Sequence, residues 1–223
     1  ATQFGSLTGT QISGLTTTNI AGLQITGQLT GLTSTSVGQL STTVFSGFTS
    51  TQLTGLSTVQ ISGLTSTNIG VLSTGQLSGL TASQLGALST AAVTGFTTPV
   101  LDALSTLQFS GLTSSQLNVL AATQLNALTT PNVVNLSSTQ IAGLTATQLA
   151  GVSTTFFGAL TSTQLPGLTT GQIQGFTTPN LATLTTGQLS GLTSTQLGAL
   201  TTVQVTGLST TVIANIQIST QLS

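Results

Sequence analysis

The chain has 223 residues and contains no Lys, Arg, His, Cys, Met, Trp or Tyr; Asp102 is its only charged side chain. General acid–base catalysis, an activated Ser nucleophile and a clustered metal site all require residues that are missing, and phosphate recognition requires the absent Lys and Arg. The expectation is therefore no enzyme, no catalytic, cofactor or metal residues, no cofactor and no nucleic-acid partner.

Every stretch of the chain varies one eight-residue phrase, seen in its plainest form as Leu-Thr-Ser-Thr-Gln-Leu-Gly-Ala from Leu192 to Ala199. Position 1 of the phrase falls at Leu7, Leu15 and Leu23, then at Leu32, Leu40, Phe48 and every eighth residue to Leu208 and Ile216, with one additional residue between Leu23 and Leu32. Positions 2 and 3 are nearly always Ser or Thr, position 5 is mostly Gln, position 6 is Leu, Ile, Val or Phe, and positions 7 and 8 are small, most often ending in Gly or Ala. Large apolar residues on so strict a grid argue against disorder despite the Gly, Ser, Thr and Gln content. The same polar residues interrupt every apolar run, so no transmembrane helix is expected.

Two longer periods overlie the octad. Octads opening Leu-Thr or Phe-Thr, as at Phe48, Leu64, Leu80 and Phe96, alternate with octads opening Leu-Ser, as at Leu40, Leu56, Leu72 and Leu88. Phe48, Phe96 and Phe176, and separately Pro99, Pro131 and Pro179, are spaced by multiples of two octads. This alternation predicts a solenoid whose 16-residue rung is made of two non-equivalent octads. The irregular unit from Leu23 to Leu29 recurs from Ile216 to Leu222, an offset of 193 residues, and Thr2-Gln3-Phe4-Gly5 aligns with Thr195-Gln196-Leu197-Gly198 at the same offset. Residues 1–223 are thus expected to form a single continuous repeat array, a segment of a longer protein with a higher-order repeat of that length.

The apolar spacing alternates five and three, which neither one long amphipathic helix nor a flat strand accommodates. Two compact folds do. In the first, each octad is a short helical turn. Ser/Thr at position 2 and Gln at position 5 form a capping box, and the apolar residues at positions 1 and 6 are the hydrophobic staple. Gly at position 8 suits a left-handed helix end, and Pro at position 4 lies in the first turn, where its missing amide costs little. The alternative is a two-sheet β-solenoid with Gly at the corners. Four local signals favour the helical turn. In both folds Leu, Ile and Phe line the inside, Ser, Thr and Gln cover the outside, and position-5 Gln and Asn can form hydrogen-bonded ladders along the axis.

Individual residues read as structural. Asp102, at position 7, faces solvent without a catalytic partner. Asn135-Leu136-Ser137 matches an N-glycosylation sequon, but its middle residue belongs to the core. Phe48, Phe96, Phe156 and Phe157 occupy or adjoin core columns.

The Leu-Thr-x-x-Gln-Leu phrase is similar to the helix start of transcription-activator-like effector repeats. That match covers the cap alone, and the base-reading and basic residues are lacking here. Over its whole length the chain resembles the octad-repeat regions, Leu-Thr-Thr-x-Gln-Ile-x-Ala-Leu in style, of very large secreted bacterial adhesin-like exoproteins. That resemblance implies an extracellular or cell-surface structural protein, a filament or the stalk of a giant adhesin. Its expected partners are further copies or an end-to-end continuation of the array, with cell-surface or matrix contact. A different expectation is an ice-binding or surface-binding module built on regular Thr ranks.

Overall fold

The computed structural model describes residues 5–23 and 28–214. Among them each octad forms one short helix of four to six residues, or a three-residue 3-10 turn, and no strand occurs. The β-solenoid alternative is thereby excluded. The recurring units Leu23–Leu29 and Ile216–Leu222, and the segment Thr2–Phe4, lie largely or wholly outside the described residues.

The octad at Leu192 shows why so short a helix forms. Thr193 has extended backbone, its Oγ1 accepts from the Gln196 N–H at 3.2 Å, and its own N–H donates to Gln196 Oε1 at 2.8 Å. The Leu197 N–H donates to the Thr193 carbonyl at 2.9 Å and the Leu200 N–H to the Leu197 carbonyl at 3.1 Å, so the next leucine closes the turn. The reciprocal cap at the start and the Leu200 N–H at the end supply what one and a half turns cannot supply internally. Pro99, Pro131 and Pro179 fall in the first helical turn, as expected. Pro166, at position 7, lacks the N–H for an i−4 bond to Ser162, and Leu165–Gly167 is a 3-10 turn.

The glycines correct one expectation. No described glycine has positive φ, and the helix-ending ones, such as Gly55 at −73° and Gly111 at −75°, remain in the right-handed region. Glycine is there for close approach. A Cβ on Gly79 would stand 2.5 Å from the Ser50 carbonyl oxygen of a stacked helix.

The chain divides into two compact units, Ala1–Val119 and Leu120–Ser223. In the first, the helix Ser34–Gly38 packs on Thr58–Ile61, that helix on Ala82–Gly86, and that one on Thr106–Ser110. A second column runs through Thr42–Ser46, Ser66–Gly70, Thr90–Val93 and Ser114–Asn118, and a third through Ser50–Thr54, Thr74–Leu77 and Thr98–Asp102. In the second unit, Ala122–Leu125, Ala146–Gly151, Thr170–Gln174 and Ser194–Gly198 stack in the same way, as do Thr130–Val134, Thr154–Gly158, Thr178–Leu181 and Thr202–Thr206. Stacked helices begin 24 residues apart, at 34, 58, 82 and 106 for example. The coil is therefore three octads, and the 16-residue rung is overturned. A two-octad coil would stack Leu-Thr octads on Leu-Thr octads. From Leu32 to Leu112 the odd step of three stacks each Leu-Thr or Phe-Thr octad on a Leu-Ser octad or the reverse, so the two-octad alternation there records which neighbours meet.

Positions 1 and 6 form the core as expected: Leu56, Ile61, Leu64 and Ile69 are 0–3% exposed. Gln at position 5 departs from expectation. Gln84, Gln116 and Gln196 are buried, so this residue belongs to the interior.

Two predictions follow from the core and the stacking. Leu112→Ala, at a buried mid-array position, is expected to cost about 2–5 kcal/mol, more than Thr193→Ala, which removes a cap worth about 0.5–2 kcal/mol. Chemical denaturation measures both. Gly95→Ala, whose Cβ would fall closer than 3.0 Å to Ser66 backbone atoms, is expected to lose at least about 2 kcal/mol. Gly75→Ala, with nothing within 4 Å of its Cβ, is expected to gain roughly 0.5–1 kcal/mol in the same assay.

Candidate functional site

Where an octad carries Gln or Asn at position 5, that amide is the polar group it sends inward, and in the Gln octads it does two jobs at once. In the octad at Leu112, Gln116 Oε1 accepts from the Thr113 N–H at 2.7 Å, completing its own helix cap. Its Nε2 donates to the Leu85 carbonyl at 2.9 Å and the Leu88 carbonyl at 2.7 Å, both in the preceding coil. Gln84 does the same to Leu53 and Leu56, and Gln196 to Leu165 and Leu168, always at separations of 31 and 28 residues. The acceptors are the position-6 carbonyl and the next position-1 carbonyl, the point where one helix ends and the chain turns. Gln52 reaches Ile20 and Leu23 at separations of 32 and 29. The single shift is the additional residue between Leu23 and Leu32.

These bridges take the place of the Gln–Gln ladders expected along the axis. They also leave no described buried side-chain nitrogen or oxygen without a hydrogen-bond partner. At Phe156, where position 5 is apolar, another residue compensates. Phe156 replaces Gln in the octad at Val152, and the Ser153 N–H donates instead to Asn126 Oδ1 at 2.6 Å, while Asn126 Nδ2 donates to the Gly151 carbonyl at 3.2 Å.

The residues singled out from sequence are not brought together. Asp102 is exposed at the end of its helix, and no group of three or more His, Cys, Asp or Glu occurs among the described residues. Asn135 is exposed, but its Nδ2 donates to the Pro131 carbonyl at 2.8 Å, and Ser137 Oγ accepts from the Gln140 N–H at 3.1 Å as a helix cap. Both polar residues of the sequon are engaged in helix ends. Phe48, Phe96, Phe156 and Phe157 are all buried. Phe45 and Phe48 stack with ring centroids 5.4 Å apart, and Phe157 meets Phe176 edge-on at 4.7 Å. These rings fill core.

The exterior carries hydroxyls without charge. The second unit has one unbroken column rank at position 3, Thr130, Thr154, Thr178 and Thr202, but beside it at position 4 stand Pro131, Thr155, Pro179 and Val203. Thr178 is half-buried beneath Gly207. Packed helices lie about 8–10 Å apart, so such ranks are coarse and interrupted. No described helix is long and apolar enough to cross a membrane. No protein-family model matches the chain, and no curated protein sequence matches it.

The bridging amide makes a sharp electrostatic prediction. Gln116→Leu strands the Leu88 carbonyl and one cap N–H, leaves the Leu85 carbonyl with only its bond from the Leu88 N–H, and is expected to cost about 2–3 kcal/mol. Gln116→Glu turns a carboxylate toward those carbonyls. Burial among acceptors raises its folded pKa above the unfolded value of about 4.3, so stability is retained below that pH and lost as pH rises through the folded pKa. Thermal melts of the wild type, which has no cationic side chain, are expected to superimpose between pH 3 and pH 9, while those of Gln116→Glu fall.

Proposed function

We propose that the chain is a structural spacer: a stretch of an extracellular filament, or of the stalk of a giant adhesin, whose task is to stack. The observation that carries this reading is the recurrence of the coil-to-coil bridge. In both units the position-5 amide meets the position-1 carbonyl 28 residues back, commonly with a second carbonyl at 31 or 30. Each coil is therefore held by its neighbours alone, and such an array extends by adding coils without redesign.

The chemistry of the surface agrees with that task. Hydroxyl and small side chains make up most of it, with Asp102 and exposed apolar residues such as Val59, Leu107 and Val203 among them, and the position-5 amides are spent on internal hydrogen bonds. A near-neutral surface lowers the barrier to meeting further copies or a matrix, and self-association belongs to the same proposal. The resemblance to octad-repeat regions of secreted adhesin-like proteins supports the extracellular placement.

Negative-stain micrographs of the purified protein test the reading. Elongated particles, lengthening as octads are added or joining end to end, are expected. Compact particles of fixed size that do not associate would overturn it.

A further inference from the structure

We infer that the first unit is written in an odd–even stacking code, so that between Ser34 and Val119 it changes length without loss only by even numbers of octads, although its physical coil is three octads.

The code pairs position 8 of each octad with position 3 of the octad one coil earlier, 29 residues back. Gly63, Gly79, Gly95 and Gly111 stand over Ser34, Ser50, Ser66 and Ala82, and a Cβ on any of these glycines would fall closer than 3.0 Å to backbone of the residue beneath. The intervening octads carry the larger pair: Ala87, Ala103 and Val119 take position 8 over Thr58, Thr74 and Thr90 at position 3. Exposure follows the alternation. Ser34, Ser50, Ser66 and Ala82 are half-buried, whereas Thr58, Thr74 and Thr90 are exposed.

The pairing holds in the second unit, where Gly175 stands over Ala146 and Gly191 over Ser162. Gly47 over Thr17 and Gly207 over Thr178 are steps at which glycine faces threonine. In no described stack within either unit does a residue larger than glycine stand over Ser or Ala. That is the forbidden combination, because the added carbon would strike backbone, which cannot swing aside.

Small and large residues alternate with period two from Ser34 to Thr90 at position 3 and from Gly63 to Val119 at position 8, and stacking joins octads three apart. Removing an even number of octads within that stretch therefore preserves every pairing across the cut, and removing an odd number inverts three of them. Deleting Leu72–Ala87 places Gly95 over Ser50, Ala103 over Thr58 and Gly111 over Ser66, all allowed. Deleting Leu72–Gly95, one whole coil, places Ala103 over Ser50, Gly111 over Thr58 and Val119 over Ser66, all inverted. Deleting only Leu72–Gly79 inverts three pairings as well.

Thermal unfolding of the three deletion variants of the full chain, followed by far-ultraviolet circular dichroism, tests the code. The two-octad deletion is expected to melt roughly 10 °C above both the one-octad and the three-octad deletions. Its advantage over the one-octad deletion is the telling one, since it retains fewer residues. Introducing Thr58→Ser, Ala103→Gly and Val119→Gly into the three-octad deletion is expected to recover most of its loss. A melting temperature that falls steadily with the number of octads removed, a three-octad deletion as stable as the two-octad one, or a failure of the triple substitution to rescue would each overturn the inference.

Discussion

A carbonyl at the end of a helix has a lone pair left over, and in this protein a glutamine from the next coil takes it. Gln116 Nε2 reaches two such carbonyls, Leu85 and Leu88, while its Oε1 caps the helix that carries it. A single side chain thus settles the polar groups of two turns of the chain. Without it, every octad would bury unpaired carbonyls at its turn, and burial of the leucines on either side would be opposed by that desolvation. The leucine core and the amide bridges are consequently one device: the core supplies the driving force, and the bridges permit the backbone to turn inside it.

The scarcity of charge fits this arrangement. Ion pairs would add little on the surface of a short-helix array, and a buried charge would disrupt the uniform hydrogen-bond scheme. An amide provides donor and acceptor in one neutral group, at any pH. Asn126, which serves the Ser153 N–H where Phe156 has displaced the usual Gln, shows that the requirement belongs to the backbone. Whichever residue can reach the orphaned N–H satisfies it.

Much of the helix was legible before the fold. The capping box at Thr193 and Gln196, the buried leucines around it and prolines in the first turn are settled within about six consecutive residues. Local chemistry of that kind survives in any tertiary context. The lack of His, Cys, Lys and Arg is read directly from the sequence. The inward place of Gln was not legible, because its oxygen has a local partner and its nitrogen has none within the octad. A long polar side chain then reads as surface until the carbonyls 28 and 31 residues away are known.

The sequence by itself determined the element: a capped helical turn every eight residues, with two apolar anchors that must be buried. Tertiary structure alone decided how many such turns close a coil, because that depends on the angle through which each leucine junction redirects the chain. The two-octad alternation in the sequence pointed to a coil of two, and the coil is three. The alternation belongs to the faces that meet between coils, where Gly63 must lie against Ser34 backbone and no local signal says which helix will be opposite. Capping is satisfied by neighbours along the chain, whereas close packing is satisfied by neighbours in space, and a repeat with an odd step makes the two periods differ.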